Sequence, residues 1–201
     1  MKRIIALSGG LSNPSSSRVL AEDLAAAVKA SGQRSAQQIE VEVVELREHA
    51  HAIVDNMLTG FPTGEFAELM RRVVTADALI VVTPTFSAGM SGLVKSFFDV
   101  VEPDALRGMP VLMAATGGTE RHSLVIEYAM RPLFAYLGSL PVGTGVYAAT
   151  SDFGGQGAGL LRQRVERAAD ELVTALSGSL ARPAEPEFVA FEDLLARREA
   201  G

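Results

Sequence analysis

Five short apolar runs, at residues 3–7, 39–46, 78–83, 110–115 and 141–149, alternate along the chain with segments of helical period. No other feature restricts the possible folds as strongly. Three of the runs are nearly continuous hydrophobic stretches, as parallel strands covered on both faces require. Residues 39–46 alternate instead, with Val41 and Val43 set against Glu40 and Glu42, which suits an edge strand. The helical segments are expected at 17–31, 65–76, 89–101, 123–137 and 160–177.

Strand–helix alternation at this spacing implies right-handed βαβ units stacked as a three-layer α/β domain. The expected architecture is flavodoxin-like, a five-stranded parallel sheet in the order 2-1-3-4-5 with helices on both faces. In that layout ligands sit beyond the carboxyl ends of strands 1, 3 and 4, so the residues after Leu7, Thr83 and Ala115 matter most. Residues 1–178 are expected to form this domain and 179–201 a tail. The tail opens with Arg182-Pro183-Ala184-Glu185-Pro186, which cannot continue a helix. Phe188, Phe191, Leu194 and Leu195 follow in a short amphipathic pattern. It suits either a strap on its own domain or an arm gripping a second subunit.

Composition removes several kinds of chemistry. The chain has no cysteine, which excludes disulfides, thiolate catalysis, iron–sulfur clusters and cysteine zinc sites. Any redox chemistry must come from a cofactor. A net charge of -6, with signs interspersed, offers no broad attraction for nucleic acid. The amino-terminal apolar run is too short for a signal peptide, and no stretch reaches the ~20 apolar residues of a membrane helix. The expectation is a cytoplasmic protein without a membrane partner. His49 and His51 lack a nearby third ligand, so they are read as part of a polar loop, and no metal site is expected.

Three loops converge on the expected ligand edge. The first, residues 8–18, contains Gly9, Gly10 and five serines: Ser8, Ser12, Ser15, Ser16 and Ser17. Small residues let the backbone approach an anion, and the free N–H groups of the following helix point at it. The loop also suits an ordinary polar turn and helix cap. It is neither a P-loop, since no Gly-Lys-Ser/Thr follows, nor a G-x-G-x-x-G turn. The second loop carries Pro84, Thr85, Phe86, Ser87, Ala88 and Gly89. One aromatic among small residues suits a flat heteroaromatic ring, although Phe86 also fits as a cap on the core. The third loop contains Thr116, Gly117 and Gly118 and leads into a helix.

At these residues the sequence resembles the NADPH-dependent FMN reductase family, in particular reductases of two-component sulfonate-type monooxygenase systems. The resemblance runs over about residues 1–177. The family's phosphate loop, S-G-S-x-R-x-x-S-x-N-x-x-L, is matched by Ser8, Gly9, Ser15 and Leu20. Gly10 replaces a serine, Ser12 the arginine and Ser17 the asparagine, which leaves Arg18 as the basic residue within the loop. The flavin-ring pattern T-P-x-Y/F-x-x-x-x-S-G-x-x-K appears as Thr83, Pro84, Phe86, Ser91, Gly92 and Lys95. The stretch A-T-G-G-T followed by x-x-H appears as residues 115–119 and His122.

The resemblance implies FMN and NADPH as ligands, with FMN held by the three loops. Reduced flavin would pass to a partner monooxygenase, and the enzyme would form a homodimer or homotetramer. It also implies a π-helical bulge around Tyr128 at a tetramer interface near the flavin, where the plain alternative is a surface tyrosine. No catalytic acid or base is identified, because the flavin itself does the chemistry. Tyr128 and His122 are the weak candidates, and His122 reads more simply as a helix-start residue. Arg121 and Arg131 are candidates for a nicotinamide 2'-phosphate or else for plain surface solvation. The competing functions are an enzyme that retains FMN and reduces quinones, azo dyes or metal oxyanions, a flavodoxin-type electron carrier, and a regulatory module on the same fold.

Overall fold

The computed structural model describes residues 1–154 and 157–178. Its elements follow the order β1 (Lys2–Ser8), α1 (Ser16–Arg34), β2 (Ile39–Glu45), α2 (Ala50–Thr59), α3 (Gly64–Thr75), β3 (Ala78–Phe86), β4 (Gly89–Met90), α4 (Gly92–Asp99), β5 (Pro110–Gly117), α5 (Arg131–Tyr136), β6 (Leu140–Pro141), β7 (Val146–Ala149) and α6 (Gly157–Ser177). The parallel order β2-β1-β3-β5-β6 is the expected 2-1-3-4-5 sheet, with β2 at its edge. The tail, including Phe188, Phe191, Leu194 and Leu195, lies outside the described residues.

Because side chains alternate along a strand, each central strand feeds two cores. Ile5 and Leu7 of β1 join Leu79 and Val81 of β3 on one face, where Ile53, Phe66, Phe97 and Phe134 from α2, α3, α4 and α5 cover them. Ile4 and Ala6 point the other way with Ile80 and Val82, and Leu20, Leu24, Val165 and Leu172 of α1 and α6 close that side. Burial on both faces explains why the central strands read as continuous apolar runs.

Four local expectations need correction. The strand expected at 141–149 is broken into β6 and β7, and both pair with β5. Between them Glu171 captures Thr144 through its backbone N–H at 2.7 Å and its hydroxyl at 2.6 Å. The helix expected from residue 89 begins at Gly92, because Gly89 and Met90 turn back to pair antiparallel with the end of β3. The helix expected over 123–137 is regular only in α5, and ahead of it the π-helical turn Ile126–Met130 carries Tyr128 as the resemblance implies. Finally, His51 lies on α2 rather than in a loop, and His49 ends a 3-10 turn with its ring 6.1 Å from that of Phe66. Helix α2 escapes a periodicity reading because Val54, Met57 and Leu58 face outward.

Asp77 fastens the amino end of the sheet. Its carboxylate accepts from the Arg3 backbone N–H at 2.8 Å and from Lys2 Nζ at 2.9 Å. Partial burial works against the charge, but the Arg3 amide and the Lys2 ammonium together outweigh it and hold the carboxyl below its usual range. A carboxyl lowered by folding contributes stability above its unfolded pKa of about 4 and loses it as pH falls through the lower folded value. Asp77→Asn is therefore expected to be less stable than the parent at pH 7, with the gap narrowing as pH falls below about 4. Urea titrations across that range check this, and a constant gap would count against it.

Candidate functional site

Parallel pairing brings Ser8 beside Val82 and Pro84 beside Thr116, so the three loops leave the sheet at one edge. The Gly9 N–H donates to the Val82 carbonyl at 2.8 Å, drawing the first loop against β3. A Cβ on Gly9 would stand 2.1 Å from Val94 Cγ2, and one on Gly10 only 1.9 Å from Ser15 Oγ. Both glycines are present because the backbone passes too close to its neighbours for any side chain. The Ser15 hydroxyl caps α1 by accepting from the Arg18 N–H at 3.3 Å.

The five serines do not behave alike. Ser8, Ser15 and Ser17 are buried, whereas Ser12 and Ser16 are exposed at the mouth of the loop. Ser17 shares a 2.8 Å hydrogen bond with Thr116, locking the first loop to the third. Among the described residues the fully buried Ser8 Oγ has no hydrogen-bond partner, which costs about 1–3 kcal/mol unless a ligand or water satisfies it. Arg18 turns away from the loop. Its Nε reaches Glu22 at 2.8 Å, and Nη1 pairs with Glu45.

In the second loop, Thr83 Oγ1 accepts from the Ser91 N–H and donates to the Pro84 carbonyl, both at 2.9 Å. Phe86 does not cap the core: it is 47% exposed at the crevice. Ser87 and Ala88 form the two-residue bend at φ 49° and 64°, the left-handed pattern of a tight hairpin. Non-glycine residues there cost about 1–2 kcal/mol each, so the rest of the loop must hold the bend in place. Gly89 sits half-buried in β4 behind it.

In the third loop Thr116 is buried, Gly117 half-buried and Gly118 exposed. Tyr147 of β7 completes the enclosure, and sequence reasoning missed it. Its hydroxyl donates to the Thr119 carbonyl at 2.7 Å and stands where a Gly117 Cβ would come within 2.0 Å. Burial raises the phenol pKa, and the charges of Glu120 and Asp152 push the same way. The group stays protonated, a donor at neutral pH. The available signal was its place on a strand ending at the ligand edge.

The turns that carry His122 and Tyr128 lie against β7 and β4, at the border of this crevice. His122 ends an exposed 3-10 turn, Glu120–His122. Tyr128 sits in the π-helical turn with 79% of its surface exposed. Arg131 is committed to Glu127 and to the carbonyls of Val142 and Gly143. None of the three loops carries a paired acid and base, so the crevice can bind and orient but has no built-in nucleophile.

The family model for NADPH-dependent FMN reductases matches residues 2–154, spanning all three loops. The chain belongs to that family. This reductase is 35% identical over 151 residues to an FMN reductase (NADPH) of Pseudomonas aeruginosa, covering 75% of this chain and 78% of the relative. It is 36% identical over 151 residues to the NADH-dependent FMN reductase SfnF of Pseudomonas fluorescens, with the same coverage. Among solved structures, an oxidoreductase from Corynebacterium diphtheriae superposes with a TM-score of 0.86 at 40% identity, over 90% of this chain and 99% of that one. The apo form of the NADH:FMN oxidoreductase EmoB gives 0.73 at 25% identity, over 91% and 92%. The protein is an oxidoreductase whose family uses FMN and reduced nicotinamide. The orphaned Ser8 hydroxyl, the two glycines without room for Cβ and the start of α1 form a cradle that fits a flavin's phosphate.

Proposed function

We propose that this reductase takes FMN as an exchangeable substrate and supplies reduced flavin to a flavin-dependent monooxygenase. Ser8, Gly9, Ser12, Ser15, Ser16 and Ser17 would surround the phosphate. Pro84, Thr85, Phe86, Ser87, Ala88 and Gly89 would lie against the ring on one side, with Thr116, Gly117 and Gly118 on the other. FMN, when bound, supplies the hydride chemistry, accepting from reduced nicotinamide. The chain's own part is to place the two rings and shed water from between them. Ser17 and Thr116 hold the loops in register, and Tyr147 closes the side of the crevice.

One observation supports exchange over retention. The first loop offers neutral hydroxyls and amides, and the Arg18 guanidinium next to it is taken up by Glu22 and Glu45. Neutral hydrogen bonds are worth about 1 kcal/mol each, which suits a Kd of ~1 μM, or about -8 kcal/mol. At a kon of ~10⁶ M⁻¹s⁻¹ the flavin would then leave at ~1 s⁻¹, fast enough to be delivered. The monooxygenase partner follows from the likeness to sulfonate-system reductases. No described helix is long and apolar enough to cross a membrane, in keeping with a cytoplasmic role. The exposed Leu124, Tyr128 and Tyr136 favour a homodimer or homotetramer built on this face.

Anaerobic NADPH oxidation by pure protein, with FMN, FAD or riboflavin added, tests the reading. The expected result is a rate that saturates in added FMN, with micromolar binding by calorimetry. A copurified flavin bound with subnanomolar Kd, turning over quinones, would establish the retained-flavin alternative instead. Failure to oxidise NADPH with FMN present would point to an electron carrier.

A further inference from the structure

We infer that Arg47, held by the buried carboxylate of Glu45, widens this reductase's preference for a phosphorylated flavin over an unphosphorylated one. The inference rests on the phosphate lying in the first loop. Glu45 is the last residue of β2 and pairs in register with Ser8, so it ends at the level where the loop begins. Its side chain is only 5% exposed. Arg47 meets it with two nitrogens, Nε at 2.9 Å from Oε2 and Nη2 at 3.2 Å from Oε1. Only the Nη2 contact has hydrogen-bond geometry, so the ion pair anchors the guanidinium by a single hydrogen bond beside the first loop. Nη1 lies outside that bond and points at the Ser12 carbonyl, 3.5 Å away.

The 3-10 turn that follows β2 thus brings a second cation to the first loop, beside Ser12. Arg18 is the poorer candidate, because Glu22 and Glu45 both hold it. The amides and hydroxyls of the loop already favour a phosphate oxygen over a neutral hydroxyl, and a guanidinium held beside them widens that preference. Glu45 offsets much of that charge, so Arg47 adds selectivity without converting the loop into a tight phosphate site. It is a specificity residue, and hydride transfer does not require it.

The test compares KM for FMN and for riboflavin at saturating NADPH, at low and high salt, in the parent, Arg47→Met, Arg47→Lys and Arg18→Met. The parent should prefer FMN by about tenfold or more. Arg47→Met should raise the FMN KM by about tenfold, shift riboflavin KM and kcat by less than about twofold, and flatten the salt dependence of the FMN KM. Arg47→Lys should recover part of the preference, and Arg18→Met should change it by less than about threefold. Equal rises for both flavins would mean that Arg47 merely shapes the loop and would overturn the inference. An unchanged FMN preference in Arg47→Met, or its loss in Arg18→Met, would do the same while leaving the phosphate site standing. A parent that does not distinguish FMN from riboflavin would remove the phosphate site and this inference together.

Discussion

Gly10→Ala is expected to weaken FMN binding by about 100-fold. The new Cβ would stand 1.9 Å from Ser15 Oγ, 3.0 Å from Ser15 Cβ and 3.3 Å from Ser17 Cβ. Turning the Ser15 side chain relieves only the first overlap. The others involve carbons rooted in the backbone of α1's first turn. Ser15 also caps that helix, and Ser17 is tied to Thr116, so the turn cannot move without breaking contacts at both. Losing a cap costs about 1 kcal/mol, and two misaligned hydrogen bonds in the cradle cost about as much each. At 1.4 kcal/mol per factor of ten, that gives the stated loss. Calorimetric titration of the parent and variant with FMN measures it. A change below about threefold would show that the phosphate is held elsewhere.

Phe97→Ala carries the largest expected effect on stability. Phe97 is fully buried and stands nearly edge-on to Phe66, with ring centroids 6.2 Å apart, and to Phe98 at 5.2 Å. Phe98 in turn meets Phe134 at 4.9 Å, so one row of rings joins α3, α4 and α5 over the sheet. Removing a buried phenyl group costs about 3–5 kcal/mol in lost burial and residual cavity. At roughly 2–4 °C per kcal/mol for a domain of this size, Tm should fall by about 10 °C. Calorimetry and urea unfolding would report the same loss. A cost near 1 kcal/mol would mean that the row collapses around the gap and does not depend on ring-to-ring contact.

Legibility in the sequence followed physical locality. Strands buried on both faces are apolar through their middles, so β1, β3 and β5 could be located, although β3 runs on past Thr83 to Phe86 and β5 to Gly117, and β2 revealed its edge position through its glutamates. The loops were legible because glycine and serine mark where backbone must pass close or cap a helix. The fifth strand was misread, since what interrupts it is Glu171, 27 residues away, gripping Thr144. Helix α2 was missed because an outward apolar face leaves no amphipathic period.

The amino-acid order by itself determined the α/β layering, the sheet order and the three loops at its carboxyl edge, because each depends on short-range pattern and on the handedness of βαβ crossovers. Only the tertiary structure decided which hydroxyls are spare and which are spent, that Ser17 serves Thr116, that Tyr147 fills the space above Gly117, and that Arg47 in place of Arg18 faces the first loop. Those facts rest on side chains from elements far apart in the chain meeting at contact distance. Such meetings are set by strand register and packing, which no local window of residues encodes.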